Sequence, residues 1–170
     1  MAEMPKVLKN FTAYIDGRPM AGRVDEIVPP KLTIVTEEHR GGGMDTPIEI
    51  DMGTEKLEAE MTFSEAVTDV FKLWGIVAGQ EKLIVLRGAR EAADGTVESI
   101  VVELRGRFRE LDPGSWQTGQ NKNQFKATCA ATYYKLTIAD EDLIEIDALA
   151  MIRKVGGVDQ LEGTRQALGN

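Results

Sequence analysis

One cysteine and one histidine stand in a chain of 170 residues, and both scarcities remove chemistry. With Cys129 alone no intramolecular disulfide forms, and a four-ligand zinc site lacks its ligands. His39 has no second histidine with which to share a metal or an acid–base dyad. Its neighbours Glu37 and Glu38 are adjacent in sequence, so in a strand they point to opposite faces. Aromatic content is only 6%, with Trp74 and Trp116 far apart, so a core must come from Val, Ile, Leu, Met and Ala. Basic residues are outnumbered 20 to 28, and the net charge of −8 argues against a stable grip on a phosphate backbone. An acidic chain can still meet DNA without binding it. No apolar run is long enough to span a bilayer, and the polar start Met1-Ala2-Glu3-Met4-Pro5-Lys6 does not read as a signal peptide. The expectation is a protein made and kept in water.

What the chain does have is 42% hydrophobic residues, enough for one sizeable core, and 17 glycines, which imply many turns. A single domain over 1–170 is expected. Phe11 to Ile15 reads as a strand ended by Asp16-Gly17, a pair favoured in tight hairpins. Pro29-Pro30 breaks the pairing, and Leu32 to Thr36 restarts an extended, β-branched segment. Arg40-Gly41-Gly42-Gly43-Met44-Asp45-Thr46-Pro47 reads as a loop. From Lys56 to Phe63 the alternation is strict: Leu57, Ala59, Met61 and Phe63 share one face and Lys56, Glu58, Glu60 and Thr62 the other. The period then changes. Val67, Val70, Phe71 and Trp74 fall at helical spacing, with Ser64 as cap, which predicts a helix ending near Gly75 or Gly79.

Lys82 to Arg90 and Thr96 to Leu111 flank Asp94-Gly95 as a second hairpin, with Val102, Leu104, Gly106 and Phe108 on one face of the return strand. A polar loop around Asp112-Pro113-Gly114 and Asn121-Lys122-Asn123 leads into an extended run from Phe125 to Ile138. Leu143 to Asp147 pairs back across Asp140-Glu141-Asp142, and a short helix from about Val158 to Ala167 follows the pair Gly156-Gly157. The sum is mainly antiparallel β-structure, with one amphipathic flanking helix and a short terminal helix.

The residues offer little to catalysis. Gly41-Gly42-Gly43 lacks the Lys-Ser or Lys-Thr and the following helix of a phosphate loop. Cys129 sits among Ala127, Thr128, Ala130 and Ala131 without a nearby base. The acids Asp140, Glu141, Asp142, Glu145 and Asp147 lack the glycine that turns a calcium loop, and read as a charged sheet face. No aromatic sugar platform accompanies them for glycoside chemistry. No catalytic, metal or cofactor residue is assigned.

Several ordered blocks resemble the tail tube proteins of contractile, P2-like phages. They are Tyr14-Ile15-Asp16-Gly17, Pro30-Lys31-Leu32-Thr33, Glu38-His39-Arg40, Gly42-Gly43-Met44-Asp45, Ile48-Glu49-Ile50-Asp51-Met52-Gly53, Leu104-Arg105-Gly106 and Glu110-Leu111-Asp112-Pro113-Gly114. Two turns depart from the pattern: Ala139 to Asp142, where the family often has glycine, and Gly156-Gly157, where Asn-Gly is common. The resemblance implies two packed antiparallel sheets with a flanking helix, six-copy rings, and a stacked hollow tube inside a sheath. The partners it implies are the chain itself, a tail sheath protein, a tape-measure protein, and baseplate and tail terminator proteins. DNA would pass without stable binding, in a virion tail assembled in the host cytoplasm.

Two placements follow from that resemblance. Some of Glu58, Glu60, Asp140, Glu141, Asp142, Glu145 and Asp147 are expected to face the lumen, where acids repel phosphates. The segment from Arg40 to Lys56, too long for a hairpin turn, is expected to reach a neighbouring subunit or the next ring through Arg40, Gly41, Gly42, Gly43, Met44, Asp45 and Pro47. Three other readings stand beside this one: the tube of a headless R-type bacteriocin, a secretion-type tube, and a β-sandwich enzyme.

Overall fold

The computed structural model describes residues 4–119 and 122–169. Met1, Ala2 and Glu3 of the polar start and Asn121 of the polar loop lie outside the described residues. Strand β1 (Val7–Ile15) turns through Asp16 and Gly17 into the short β2 (Arg18–Pro19). Strands β3 (Val24–Val28), β4 (Ile34–His39), β5 (Ile48–Thr54) and β6 (Leu57–Phe63) follow, then the one-turn helix α1 (Thr68–Phe71). The long strands β7 (Lys82–Glu91), β8 (Val97–Asp112) and β9 (Phe125–Ile138) precede β10 (Glu141–Asp147), β11 (Ile152–Val155), β12 (Val158–Asp159) and helix α2 (Glu162–Leu168).

All named strand pairs are antiparallel, and β8 and β9 form the spine of a ten-stranded sheet. The first half of β9 pairs β6 on its other edge, and the second half pairs β10. Residues beyond this spine therefore divide into two sheet halves. One is β3, β6 and the Phe125 end of β9; the other runs β2-β1-β7-β8-β9-β10-β11-β12. Both halves turn their apolar faces to one core, in which Phe63, Phe125, Met61 and Cys129 join Ile15, Ile84, Leu104 and Tyr134.

The change of direction has a local cause. The β8–β9 register shifts twice, leaving Thr132 unopposed on β9 and Arg109 unopposed on β8. One extra residue reverses which face a strand presents. Cys129 and Tyr134 accordingly both face the core despite their opposite parity. Beside the first shift lies Gly106, where a Cβ would stand 2.3 Å from the carbonyl oxygen of Ala130. Only hydrogen fits at that approach, which gives this glycine a packing role and not a turn role.

Two sequence expectations change in the structure. The helix through Val67, Val70, Phe71 and Trp74 is four residues long, with Val67 at its N-cap and no side-chain cap; Ser64 instead donates to Asp25. Trp74 leaves the helix because its backbone bridges Phe108 and its indole Nε1 donates to the carbonyl of Arg109 at 3.1 Å. Phe71 stacks on Phe125 with ring centroids 4.7 Å apart, so the apolar spacing reports the core contact and not a longer helix. At the other end, Val158 and Asp159 are strand, closing a hairpin over Gly156-Gly157, and the helix begins only at Glu162. The Asp16-Gly17, Asp94-Gly95 and Asp140 turns stand where the sequence puts them.

The departing turn at Ala139-Asp140 keeps the tight geometry without a glycine. Both residues adopt left-handed φ, 50° and 63°, matching the 57° and 83° of Gly156 and Gly157. Aspartate tolerates that region better than most side chains; alanine does not share the advantage.

Candidate functional site

Strands β4 and β5 form a separate two-stranded sheet, paired from Ile34↔Thr54 to His39↔Ile48. Val35, Ile48, Ile50 and Met52 are all exposed, by 42%, 51%, 43% and 58%. Alternation places the three β5 residues on one face, with Glu49 and Asp51 on the other. Ile48-Glu49-Ile50-Asp51-Met52 carries this period in the sequence, so the apolar face was legible there although the residues entered only as a family block.

This hairpin corrects the reading of Arg40 to Lys56 as too long for a hairpin turn, while Arg40 to Pro47 is the loop the sequence indicates. The loop ends at Pro47, and residues from Ile48 to Thr54 are strand. Eight residues, Arg40 to Pro47, connect the strands. Within them Arg40 Nε donates to the Met44 carbonyl at 3.2 Å, and the Met44 amide donates to the Gly41 carbonyl at 3.2 Å. Gly43 takes a left-handed φ of 83°. Gly41, Gly42, Asp45 and Pro47 thus belong to the tip of a folded hairpin, and the three glycines form no anion cradle opening a helix.

Among the described residues one ion pair ties the hairpin to the main sheet. Arg153 on β11 donates to Asp51 at 2.6 Å, and the Arg153 side chain is only 15% exposed. The guanidinium, followed by the Gly53 amide, holds the Asp51 carboxyl below the usual carboxylate range.

The seven candidate acids fall into two groups. Glu58 and Glu60 lie on β6 with their side chains away from the core. Asp140, Glu141, Asp142, Glu145 and Asp147 lie on the β9–β10 hairpin. Four of the seven have cationic partners: Glu58 with Arg109 at 2.8 Å and Lys56 at 3.0 Å, Asp142 with Lys135 at 3.0 Å, Glu145 with Lys154 at 3.6 Å, and Asp147 with Arg105 at 3.8 Å. Lys56 and then Arg109 hold the Glu58 carboxyl low, and Lys135 does the same for Asp142. Glu60, Asp140 and Glu141 make no ion pair among the described residues.

Register explains the pairing. Glu103, Lys135, Glu145 and Lys154 lie opposite one another across β8, β9, β10 and β11, so the row alternates in sign. Directly opposed unlike charges stabilise a sheet and like charges do the reverse. The next row places Arg105 over the Tyr133 ring, 4.1 Å from its centroid, with the Tyr133 hydroxyl donating to Glu145 at 3.1 Å. Burial, and then Glu145, push the Tyr133 phenol upward. This face is a mixed-charge ladder.

Cys129 is fully buried, and burial pushes its thiol up to about 12. A thiol of that kind supplies no nucleophile near neutrality. Among the described residues, groups of three or more potential metal ligands do not occur and no helix is long and apolar enough to cross a membrane.

The fold has counterparts. The family of the phage tail tube protein FII matches residues 5–169. The chain belongs to that family. It is 32% identical to the tail tube protein of Escherichia phage P2 over 170 residues, covering 98% of each chain. It is 36% identical to the major tail tube protein of Serratia phage KSP20 over 156 residues, covering 91% of this chain and 90% of the relative. The function is that of a structural tail tube protein of a contractile phage tail.

Solved structures agree on the fold. The anti-feeding prophage tube-terminating cap superposes with a TM-score of 0.63 at 14% identity, covering 82% of this chain and 95% of that one. A chain of the sheath/tube terminator of the extracellular contractile injection system PVC gives 0.61 at 12% identity, covering 81% and 99%. A chain of the PVC sheath-tube complex gives 0.58 at 13%, covering 78% and 91%. For a tail tube protein the exposed β4–β5 hairpin and the alternating charge ladder are surfaces, and no reacting centre is required of them.

Proposed function

We propose that copies of this chain close into six-membered rings, and that the rings stack into the hollow inner tube of a contractile tail. The observation that carries the proposal is the β4–β5 hairpin, whose apolar face is left uncovered by the described residues of one copy. An isolated two-stranded hairpin is marginal in water, so a neighbouring subunit is the partner that makes this one worth its exposed Ile48, Ile50 and Met52. Open edges support the same reading. Strand β2 covers only Tyr14 and Ile15 of β1, and β3 pairs with β6 alone among the described residues. Ring closure by a head-to-tail contact gives such edges a partner.

The role is structural and not catalytic, which the buried Cys129 thiol and the tail tube relatives support. Its partners are further copies, the tail sheath protein, the tape-measure protein, and the baseplate and terminator proteins at the two ends. DNA passes without stable binding, and assembly takes place in the host cytoplasm before the tube takes its place in the virion tail. Of the seven acids, Glu60, Asp140 and Glu141 contribute most to a repulsive lumen, because the other four have cations beside them.

Negative-stain electron microscopy of the purified protein tests the assembly. Hollow stacked rings are expected; a chain that stays monomeric even on a preformed tail nucleus would overturn the proposal. Deleting Gly41 to Pro47 is expected to stop tube growth while the subunit stays folded. Replacing Glu60, Asp140 and Glu141 together with Lys is expected to preserve tubes and slow DNA ejection, and unchanged ejection would remove the lumen assignment.

A further inference from the structure

Tryptophan is highly buried on average, yet Trp116 is 86% exposed. It stands on the connection between β8 and β9, next to a base that is firmly built. Asp112 Oδ1 accepts from the Gly114 amide at 2.9 Å, and Gly114 has a left-handed φ of 68°. A Cβ there would come within 2.4 Å of the Gln124 carbonyl oxygen, so the two ends of the connection are pressed together. The indole is presented from a fixed root.

An aliphatic cavity of about 140 Å³ lies elsewhere on the same chain, between the root of the β4–β5 hairpin and strands β10 and β11. Leu32, Ile34, Leu57, Ile144, Ile146 and Val155 line it. Leu32, Ile34 and Val155 are exposed by 42%, 54% and 47%, so its rim is apolar and open to solvent. A water molecule's share of the liquid is about 30 Å³, which leaves room for a ring.

Trp116 cannot fill this cavity in its own subunit. Strand β6 runs from Leu57, which lines the cavity, to Phe63, which pairs with Phe125 at the end of the Trp116 connection. Six strand rises separate the two poles, on the order of 20 Å. A projecting knob at one pole and a socket at the other make a surface that is complementary to a second copy, and such a contact repeats head to tail. Glu55 and Arg153 add one charge of each sign to the cavity wall.

We propose that Trp116 of one subunit inserts into the cavity of the next, lined by Leu32, Ile34, Leu57, Ile144, Ile146 and Val155, as an anchor of the tube. The inference rests on the proposed assembly and adds one contact to it. An aromatic side chain buries about 150–250 Å², and tryptophan is prominent among residues whose truncation weakens an interface.

The test uses the full chain with Trp74→Phe, so that Trp116 is its only tryptophan. On assembly its fluorescence emission is expected to move to shorter wavelength. Trp116→Ala is expected to raise the protein concentration needed for assembly at least about tenfold. A second test keeps Trp74: Ser115→Cys combined with Val155→Cys is oxidised in assembled tubes. The buried Cys129 takes no part, so a ladder longer than dimer is expected from the double variant and not from either single one. Normal tubes with unshifted Trp116 emission and no ladder overturn the contact and leave the tube standing. Failure of the unsubstituted chain to form tubes on any nucleus overturns the assembly, and this contact with it.

Discussion

Strands β6 and β5 have nearly the same pattern and opposite fates. In β6, Leu57, Ala59, Met61 and Phe63 alternate with polar residues and are buried in the common core. In β5, Ile48, Ile50 and Met52 alternate with Glu49 and Asp51, and every one is exposed. Alternation says that a strand has an apolar face; it does not say which molecule covers it. The β6 face is satisfied within the subunit, whereas the β5 face has a role only when a second subunit arrives. Substitutions can separate the two regions, because damage to the first should be read in the isolated chain and damage to the second in the tube.

Phe125→Ala carries the largest expected effect on the isolated chain. Phe125 is fully buried opposite Phe63, 5.5 Å between ring centroids, and stacked on Phe71. Removing the ring opens a cavity between Phe63 and Phe71 in the common core, at a cost of about 3–5 kcal/mol. Denaturant unfolding of the soluble subunit measures it. A loss below about 1 kcal/mol would mean that the core does not depend on this aromatic cluster.

Gly106→Ala follows. The added methyl meets the Ala130 carbonyl oxygen and the Ala131 Cα, both backbone atoms, at 2.3 and 2.9 Å. Overpacking of this kind costs typically 1–3 kcal/mol, and neither neighbour can rotate away. Gly88→Ala is the control, because its nearest contact at 2.7 Å is the end of the Leu8 side chain. Equal unfolding midpoints for the two variants would remove the special role of the β8–β9 shift.

The β6 pattern and the long strands β8 and β9 were legible in the sequence because period two survives wherever one face is buried. The shifts at Arg109 and Thr132 were not, since an unopposed residue looks like any other until its partner strand is known. Helix α1 was overread for a related reason. Val67, Val70 and Phe71 do share a face, but Trp74 meets backbone of β8 that is far away in sequence, and that contact ends the helix. Strands β3, β11 and β12 were too short to carry a period. At the candidate site the loop and the acids were named from the chain, but their neutralising partners Arg109, Lys135, Lys154 and Arg105 come from cross-strand register.

Acid should loosen the join between the two regions without unfolding either. The Asp51 carboxyl is held low chiefly by Arg153, so its folded value lies below its unfolded one. Its contribution is complete above the unfolded value near pH 4 and is lost as the pH falls through the folded value. At neutral pH, Arg153→Met should reproduce that loosening. Hydrogen exchange at β4 and β5 is the measurement, with faster exchange expected in the variant and unchanged exchange in β6. Equal protection of the hairpin in both proteins would show that the ion pair does not hold it.

The smallest effect on the subunit is expected from the residues that matter most to the tube. Ile50→Ser and Met52→Ser remove exposed side chains that are not members of the core, so each should alter unfolding free energy by about 0.5 kcal/mol or less. Together they should prevent tube growth, because the β5 face would then offer hydroxyls where a neighbour's apolar surface must shed water. Sedimentation of the soluble subunit and microscopy of the assembled fraction read the two consequences separately. Tubes at the normal concentration would assign the hairpin face to a partner other than a second copy. A subunit that unfolds would return β5 to the same class as β6, with its apolar face needed inside the chain.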